Sequence, residues 1–169
     1  SSSFNSRNVI SSNGQSGILL TGNSAGNQIL GNLIGLGADG TTALGNTAHG
    51  VYIADGATNT TVQGTVGSPL VISGNGGYGV LVADPGTDNN TVAGAYIGLN
   101  NGATTAVPNG LGGVRVQDNA TNTKIGLASA GNVISGNTGY GVSIGRTVAS
   151  GYTNTTGTTV RNNTIGLTL

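Results

Sequence analysis

The sequence contains no cysteine, no methionine, no tryptophan and no glutamate. Without cysteine there is no disulfide framework, no thiolate metal site and no thiol redox chemistry, so packing and hydrogen bonds must hold the fold. Charge is scarce as well: five basic residues stand against five aspartates, and the formal net charge is zero. With no basic cluster, the electrostatic footprint that nucleic acid or an anionic membrane surface requires is missing, and neither partner is expected. Apolar runs are only a few residues long, against the roughly 20 needed to cross a bilayer. No charged segment followed by an apolar stretch opens the sequence, so no signal peptide is read there.

Glycine, by contrast, is abundant, with 33 residues among many Asn and Thr. That composition would suit disorder, but disordered segments are poor in β-branched residues, and here Val and Ile recur at ordered spacings. VISGNGGYG at 71–79 returns as VISGNTGYG at 133–141, 62 residues later, and a looser copy, VISSNGQSG, occupies 9–17. Self-similarity at a fixed period marks a repeat architecture.

Three strings recur in fixed order. The first is VI or IGL, centred on Ile10, Ile34, Ile72, Ile97, Ile134 and Ile165. The second is a glycine leading an in-out-in triplet: GILL at 17, GVYI at 50, GVLV at 79, GVRV at 113 and GVSI at 141. The third is led by Thr or Asn, as in NQIL at 27, TTVQ at 60, NTVA at 90, NTKI at 122 and TTVR at 158. Side chains alternate along a strand, so Val51 and Ile53 face one way and Tyr52 the other. One such strand cannot bury its apolar face alone. Coils of three strands stacked about 4.8 Å apart build continuous parallel sheets around a Val/Ile/Leu column. An amphipathic helix is excluded because the apolar residues recur at two rather than at three and four.

The expected fold is therefore an all-β, single-stranded, right-handed parallel β-helix of five full coils and the start of a sixth, one domain over residues 1–169. Its handedness follows the general preference for right-handed parallel crossovers. No amphipathic helix covers either end, and solenoids usually need polar caps. The chain is accordingly expected to be a segment of a longer protein, or to assemble through its ends into a homo-oligomer or fibre.

Corners between the sheets call for tight turns, which Gly and Asn supply. Asn13, Asn75 and Asn137 occupy matching corners in alternate coils, so an uninterrupted side-chain ladder is not expected there. Coil length alternates because two coils carry inserts, GADGTTALGNTAH from 37 and NNGATTAVPNGLG from 100. These leave the same corner two coils apart and should form a ridge. A third insert, GRTVASGYTNTTGT from 145, brings Arg146 and Tyr152, candidate binding residues on a loop carried by a rigid scaffold.

The outward column of the second string reads Leu19, Tyr52, Leu81, Arg115, Ser143, which makes Tyr52 and Arg115 further candidates for glycan contact. Just beyond, Asp55, Asp84 and Asp118 fall at equivalent positions of three successive coils. Stacked carboxylates repel unless a cation or turn hydrogen bonds stabilise them. Ca2+ is thus a candidate ligand of this column, and Asx-turn chemistry is the simpler account. Otherwise no cofactor is expected. His49, the sole histidine, has no carboxylate or thiol near it in sequence and is expected to fill a turn. Tyr78 and Tyr140 are expected to cover a corner.

The strings NVISGNTGYGVSI from 132, NQILGNLIGL from 27 and GTTALGN from 40 resemble the right-handed parallel β-helix repeats of large secreted or surface-anchored bacterial proteins, whose architecture is pectate-lyase-like. The resemblance covers essentially the whole chain and implies an extracellular or cell-surface location. The Asn-Thr-Asp, Asp-Asp and Gly-His-Gly motifs of polygalacturonases are missing; AHG at 48 is the nearest fragment. The expected function is a non-enzymatic structural or surface module that stacks end to end or contacts glycans. The alternative is a calcium-dependent, lyase-like enzyme acting on polysaccharide through Arg115 with Asp84 and Asp118. Thr58-Asn59-Thr60 and Thr121-Asn122-Thr123 raise ice binding as a further alternative.

Overall fold

The computed structural model describes residues 7–65, 67–145 and 155–166. These form sixteen short strands in three parallel sheets. The first sheet stacks β1 (Val9–Ile10), β4 (Leu33–Ile34), β7 (Leu70–Ile72), β10 (Ala95–Ile97), β13 (Val133–Ile134) and β16 (Thr164–Ile165). The second stacks β2 (Ile18–Leu20), β5 (Val51–Ile53), β8 (Tyr78–Val82), β11 (Gly112–Val116) and β14 (Tyr140–Ile144). The third stacks β3 (Gln28–Leu30), β6 (Thr61–Gln63), β9 (Thr91–Ala93), β12 (Lys124–Ile125) and β15 (Thr159–Val160). Every third strand joins the same sheet, so the chain is a parallel β-helix of five coils with a sixth begun.

Register follows the repeat. Ile10, Ile34, Ile72, Ile97, Ile134 and Ile165 pair in one unbroken line although the coils between them differ in length. Ile29, Val62, Val92, Ile125 and Val160 make the matching line of the third sheet. Inside, Ile34, Ile53, Val62, Ile72, Val82 and Ile97 are fully buried in one continuous apolar cluster. Parallel sheets need both faces shielded, and here the closed coil supplies the inner shield.

At the IGL corners the backbone turns through Gly35 and Gly98, with φ of 87° and 89°. A Cβ at Gly35 would lie 2.1 Å from the Ser73 carbonyl oxygen, and one at Gly98 would lie 2.3 Å from that of Ser135. Stacked corners thus require glycine for conformation and for room.

The inserts fold as hairpins. Leu36 bridges Ala43 and Leu99 bridges Ala106, both antiparallel. Asn101 N–H donates to Gly40 O at 2.9 Å, so the two hairpins touch across the intervening coil and form the expected ridge. They also lie over the outer face of the first sheet, where Leu33, Leu36, Val71 and Val107 form a second small core with Tyr96 packed against it. A shorter pair of hairpins, closed at Thr65–Ser68 and Leu127–Ala130, lies at the opposite end of that sheet's strands, just before β7 and β13.

The asparagine corner overturns the expectation of a broken ladder. Asn13 Nδ2 donates to Asn46 Oδ1 at 2.7 Å, Asn46 to Asn75 at 2.8 Å, Asn75 to Asn109 at 2.9 Å, and Asn109 to Asn137 at 2.9 Å. The coils carrying inserts contribute Asn46 and Asn109 from the returning ends of those inserts. Asn46, Asn75 and Asn109 are about 1 % exposed or less, and each amide also caps backbone carbonyls or amides of the adjacent coil.

Candidate functional site

The outer face of the second sheet gathers most of the chemistry that the sequence singles out. Leu19, Tyr52, Leu81, Arg115 and Ser143 pair in register, as the in-out-in triplets require. Leu81 is only 5 % exposed despite facing outward. Tyr52 and Arg115 are half-buried on either side of it.

Arg115 Nε donates to Gln117 Oε1 at 2.8 Å, and its Nη groups donate to Ser143 Oγ and to Gly145 O. Its guanidinium is engaged along its own strand and the next one. Arg146 and Tyr152 lie outside the described residues.

Below Tyr52 the face becomes aromatic. The His49 ring meets Tyr52 edge-on at 5.5 Å between centroids and stacks on Tyr78 at 5.8 Å and 18°. His49 Nδ1 accepts the Tyr78 backbone N–H at 3.0 Å, so the ring carries its proton on Nε2. Burial pushes the imidazole pKa below its ordinary value, consistent with a neutral acceptor. His49 therefore does more than fill a turn: it pairs an amide at the margin of the sheet, which nothing in its sequence neighbourhood signals. The Tyr78 ring lies over Gly112, its register partner on the next coil, 3.3 Å from where a Cβ there would be. Tyr140, in the matching triplet, is 73 % exposed.

Asp55, Asp84 and Asp118 stand on three successive coils, all with left-handed φ, at 49°, 77° and 52°. Each belongs to a tight turn, closed by Ala57 N to Ala54 O, Thr87 N to Asp84 O and Ala120 N to Gln117 O. Asp tolerates that conformation better than most residues. Thr21 Oγ1 donates to Asp55 Oδ2 at 2.8 Å. The Asp84 carboxyl is raised above its ordinary pKa, first by burial and then by the Asp55 and Asp118 charges, against a hydrogen bond from the Asp55 backbone. The same three charges, after burial, raise the Tyr52 phenol, which puts column and ring cluster on one surface. Among the described residues no group of three or more His and Asp is placed to hold a metal ion.

A separate groove of about 680 Å³ opens between the two short hairpins, with Gln63, Thr65, Pro69, Tyr96, Ser129 and Gly131 on its walls. It exists because the intervening coil turns directly through Gly94. Alternation of coil length carries the signal for it: Val92 and Ile97 are joined by a direct turn, whereas Val62 and Ile72 are separated by a hairpin.

Three parallel sheets wound on a three-strand coil define the class, a parallel β-helix solenoid. No protein-family model, curated protein or solved structure matches the chain.

Proposed function

We propose that the chain is a non-enzymatic structural module of an extracellular or cell-surface protein, extending as a rod by laying coil upon coil. The finer kinship proposed for it is with the parallel β-helix repeats of large secreted or surface-anchored bacterial proteins, on the strength of its N-x-I-S-G-N and G-V-x-I strings. One observation carries the assembly reading. Ile144 and Val160 in the fifth coil and Ile165 at the start of the sixth are 44 %, 43 % and 45 % exposed, while their register partners Val116, Ile125 and Ile134 are fully buried. A further coil laid on this face, of the same parent chain or of a second copy, would bury these side chains and pair the strand edge. Light scattering with negative-stain imaging across concentration tests this. Rods that lengthen with concentration support assembly; a monomer at every concentration overturns it.

Glycan contact on the outer face of the second sheet is a second reading, favoured by the His49, Tyr52 and Tyr78 rings beside Arg115. Sugar rings stack on such amphipathic aromatic surfaces through their apolar faces. Binding on a glycan array that is lost in Tyr52→Ala supports it, and unchanged binding in that variant removes it. Cleavage of an acidic polysaccharide, abolished by Arg115→Ala or calcium removal, would establish the lyase-like alternative instead.

A further inference from the structure

Asn-Gly pairs occur at 13–14, 75–76, 101–102 and 109–110. In such a pair the glycine, with no side chain, leaves its backbone nitrogen open to approach the preceding side-chain carbonyl carbon. The fold treats the four pairs differently: at Asn13–Gly14 both residues are exposed, but the Asn13 amide only donates, to Asn46 Oδ1, and no cation meets its oxygen among the described residues. At two of them the glycine amide is committed, Gly76 N to Asn46 O at 2.9 Å and Gly110 N to Asn75 O at 2.8 Å. The Asn75 and Asn109 side chains are buried in the ladder.

Asn101 is placed otherwise. It sits with Gly102 at the tip of the second long hairpin, in a turn closed by Ala103 N to Asn100 O at 2.9 Å. Gly102 is exposed, and its amide donates to no acceptor among the described residues. Asn101 Oδ1 accepts from Arg7 Nη1 at 2.7 Å. Arg7 is itself anchored, with Nε on Gly31 O at 2.9 Å and Nη2 on Pro69 O. A fixed guanidinium on the amide oxygen draws electron density from Cγ and stabilises the oxyanion that forms when Cγ is attacked.

We propose that Asn101 is a site of spontaneous deamidation, with water as the only co-reactant. Gly102 N, after losing its proton to solvent base, bonds to Asn101 Cγ. The bond from Cγ to the side-chain nitrogen then breaks, and that nitrogen takes a proton and leaves as ammonia. Water opens the resulting succinimide at either carbonyl, giving aspartate, or isoaspartate with the backbone routed through the side chain. The aspartate product faces Arg7, so a guanidinium–amide hydrogen bond becomes an ion pair that ties the hairpin tip to the first coil.

The test is peptide mass mapping of the folded chain during prolonged incubation in mildly alkaline buffer made with heavy-oxygen water. Residue 101 should gain the label faster than residues 75 and 109 by roughly tenfold or more, the protection expected of sites that react only after local opening. Conversion at 101 no faster than at 75 or 109 overturns the proposal. In the urea-unfolded chain all pairs should convert at similar rates; a persisting preference for 101 would show that the fold is not its cause. Gly102→Ala should slow conversion at 101 and leave the other pairs unchanged. Arg7→Gln should slow it too, and an unchanged rate would overturn the role given to the guanidinium.

Discussion

Replacing Asn75 by alanine should unfold the protein far more easily than the same change at Asn13, although both residues belong to one ladder. Asn75 Nδ2 donates to Asn109 Oδ1, and its Oδ1 accepts both Asn46 Nδ2 and the Asn46 backbone amide, at 2.8 Å and 3.3 Å. Truncation removes two bonds to other side chains, each with a net contribution of about 1 kcal/mol, and strands the buried Asn46 backbone amide at about 1 to 2 kcal/mol more. The expected loss is therefore about 3 to 4 kcal/mol. Asn13 is exposed and gives up one side-chain donation to Asn46, a loss of about 1 kcal/mol or less. Urea unfolding followed by tyrosine fluorescence, undisturbed by tryptophan, measures both. Equal midpoints and equal slopes for the two variants would refute the reasoning, because they would mean that buried ladder amides find other partners at no cost.

Other expectations follow from the same geometry. Asn27 Nδ2 and Thr60 Oγ1 are buried without partners at the corner before the third sheet, and Asn90 Oδ1 already accepts the Thr60 amide. Thr60→Asn should complete a local ladder, adding about 1 kcal/mol and raising Tm by roughly 2 to 4 °C in calorimetry. The depressed His49 pKa means that the unfolded chain takes up a proton which the folded imidazole resists. Stability should hold above 6.5, the ordinary value, and fall as pH drops below it; His49→Phe should be less stable at neutral pH but lack that slope. For Asp84 the sign is opposite. Its raised pKa gives a stabilisation that is full below 3.8 and lost as pH rises through the folded value. Asp84→Asn should therefore be more stable than the parent chain at neutral pH, with the difference vanishing in acid, as read from urea midpoints.

The strands were legible because the chain repeats the requirement of each sheet five times: an inward β-branched residue every second position, closed by a glycine where stacked carbonyls leave no room. Six isoleucines fixed the register across coils of unequal length. The ladder was missed although its signal is present. Asn13, Asn46, Asn75, Asn109 and Asn137 each lie four residues before the glycine that opens the second string. The 62-residue repeat relates only alternate coils, so Asn46 and Asn109 fall outside it. The outward column of Tyr52 and Arg115 and the aspartate turns were legible from alternation alone. The His49 hydrogen bond to Tyr78 was not, because it joins residues from different coils and depends on the chain's return path after the first insert. The second core under the hairpins was hidden for a similar reason: Leu36 reads as the close of the first string and Val107 as an insert residue, until the hairpins fold over Leu33 and Val71.

That fixed interval from asparagine to glycine separates what the scaffold demands from what it tolerates. Between Ile34 and Asn46 the chain leaves the coil, makes a hairpin and returns, yet the ladder is no weaker there than at the short corners. Foreign segments spliced into this hairpin should thus be displayed without disturbing the axis, provided that the returning asparagine keeps its phase. Two such positions, about 9.6 Å apart at 4.8 Å per coil, would make the chain a molecular pegboard with a pitch set by hydrogen bonds.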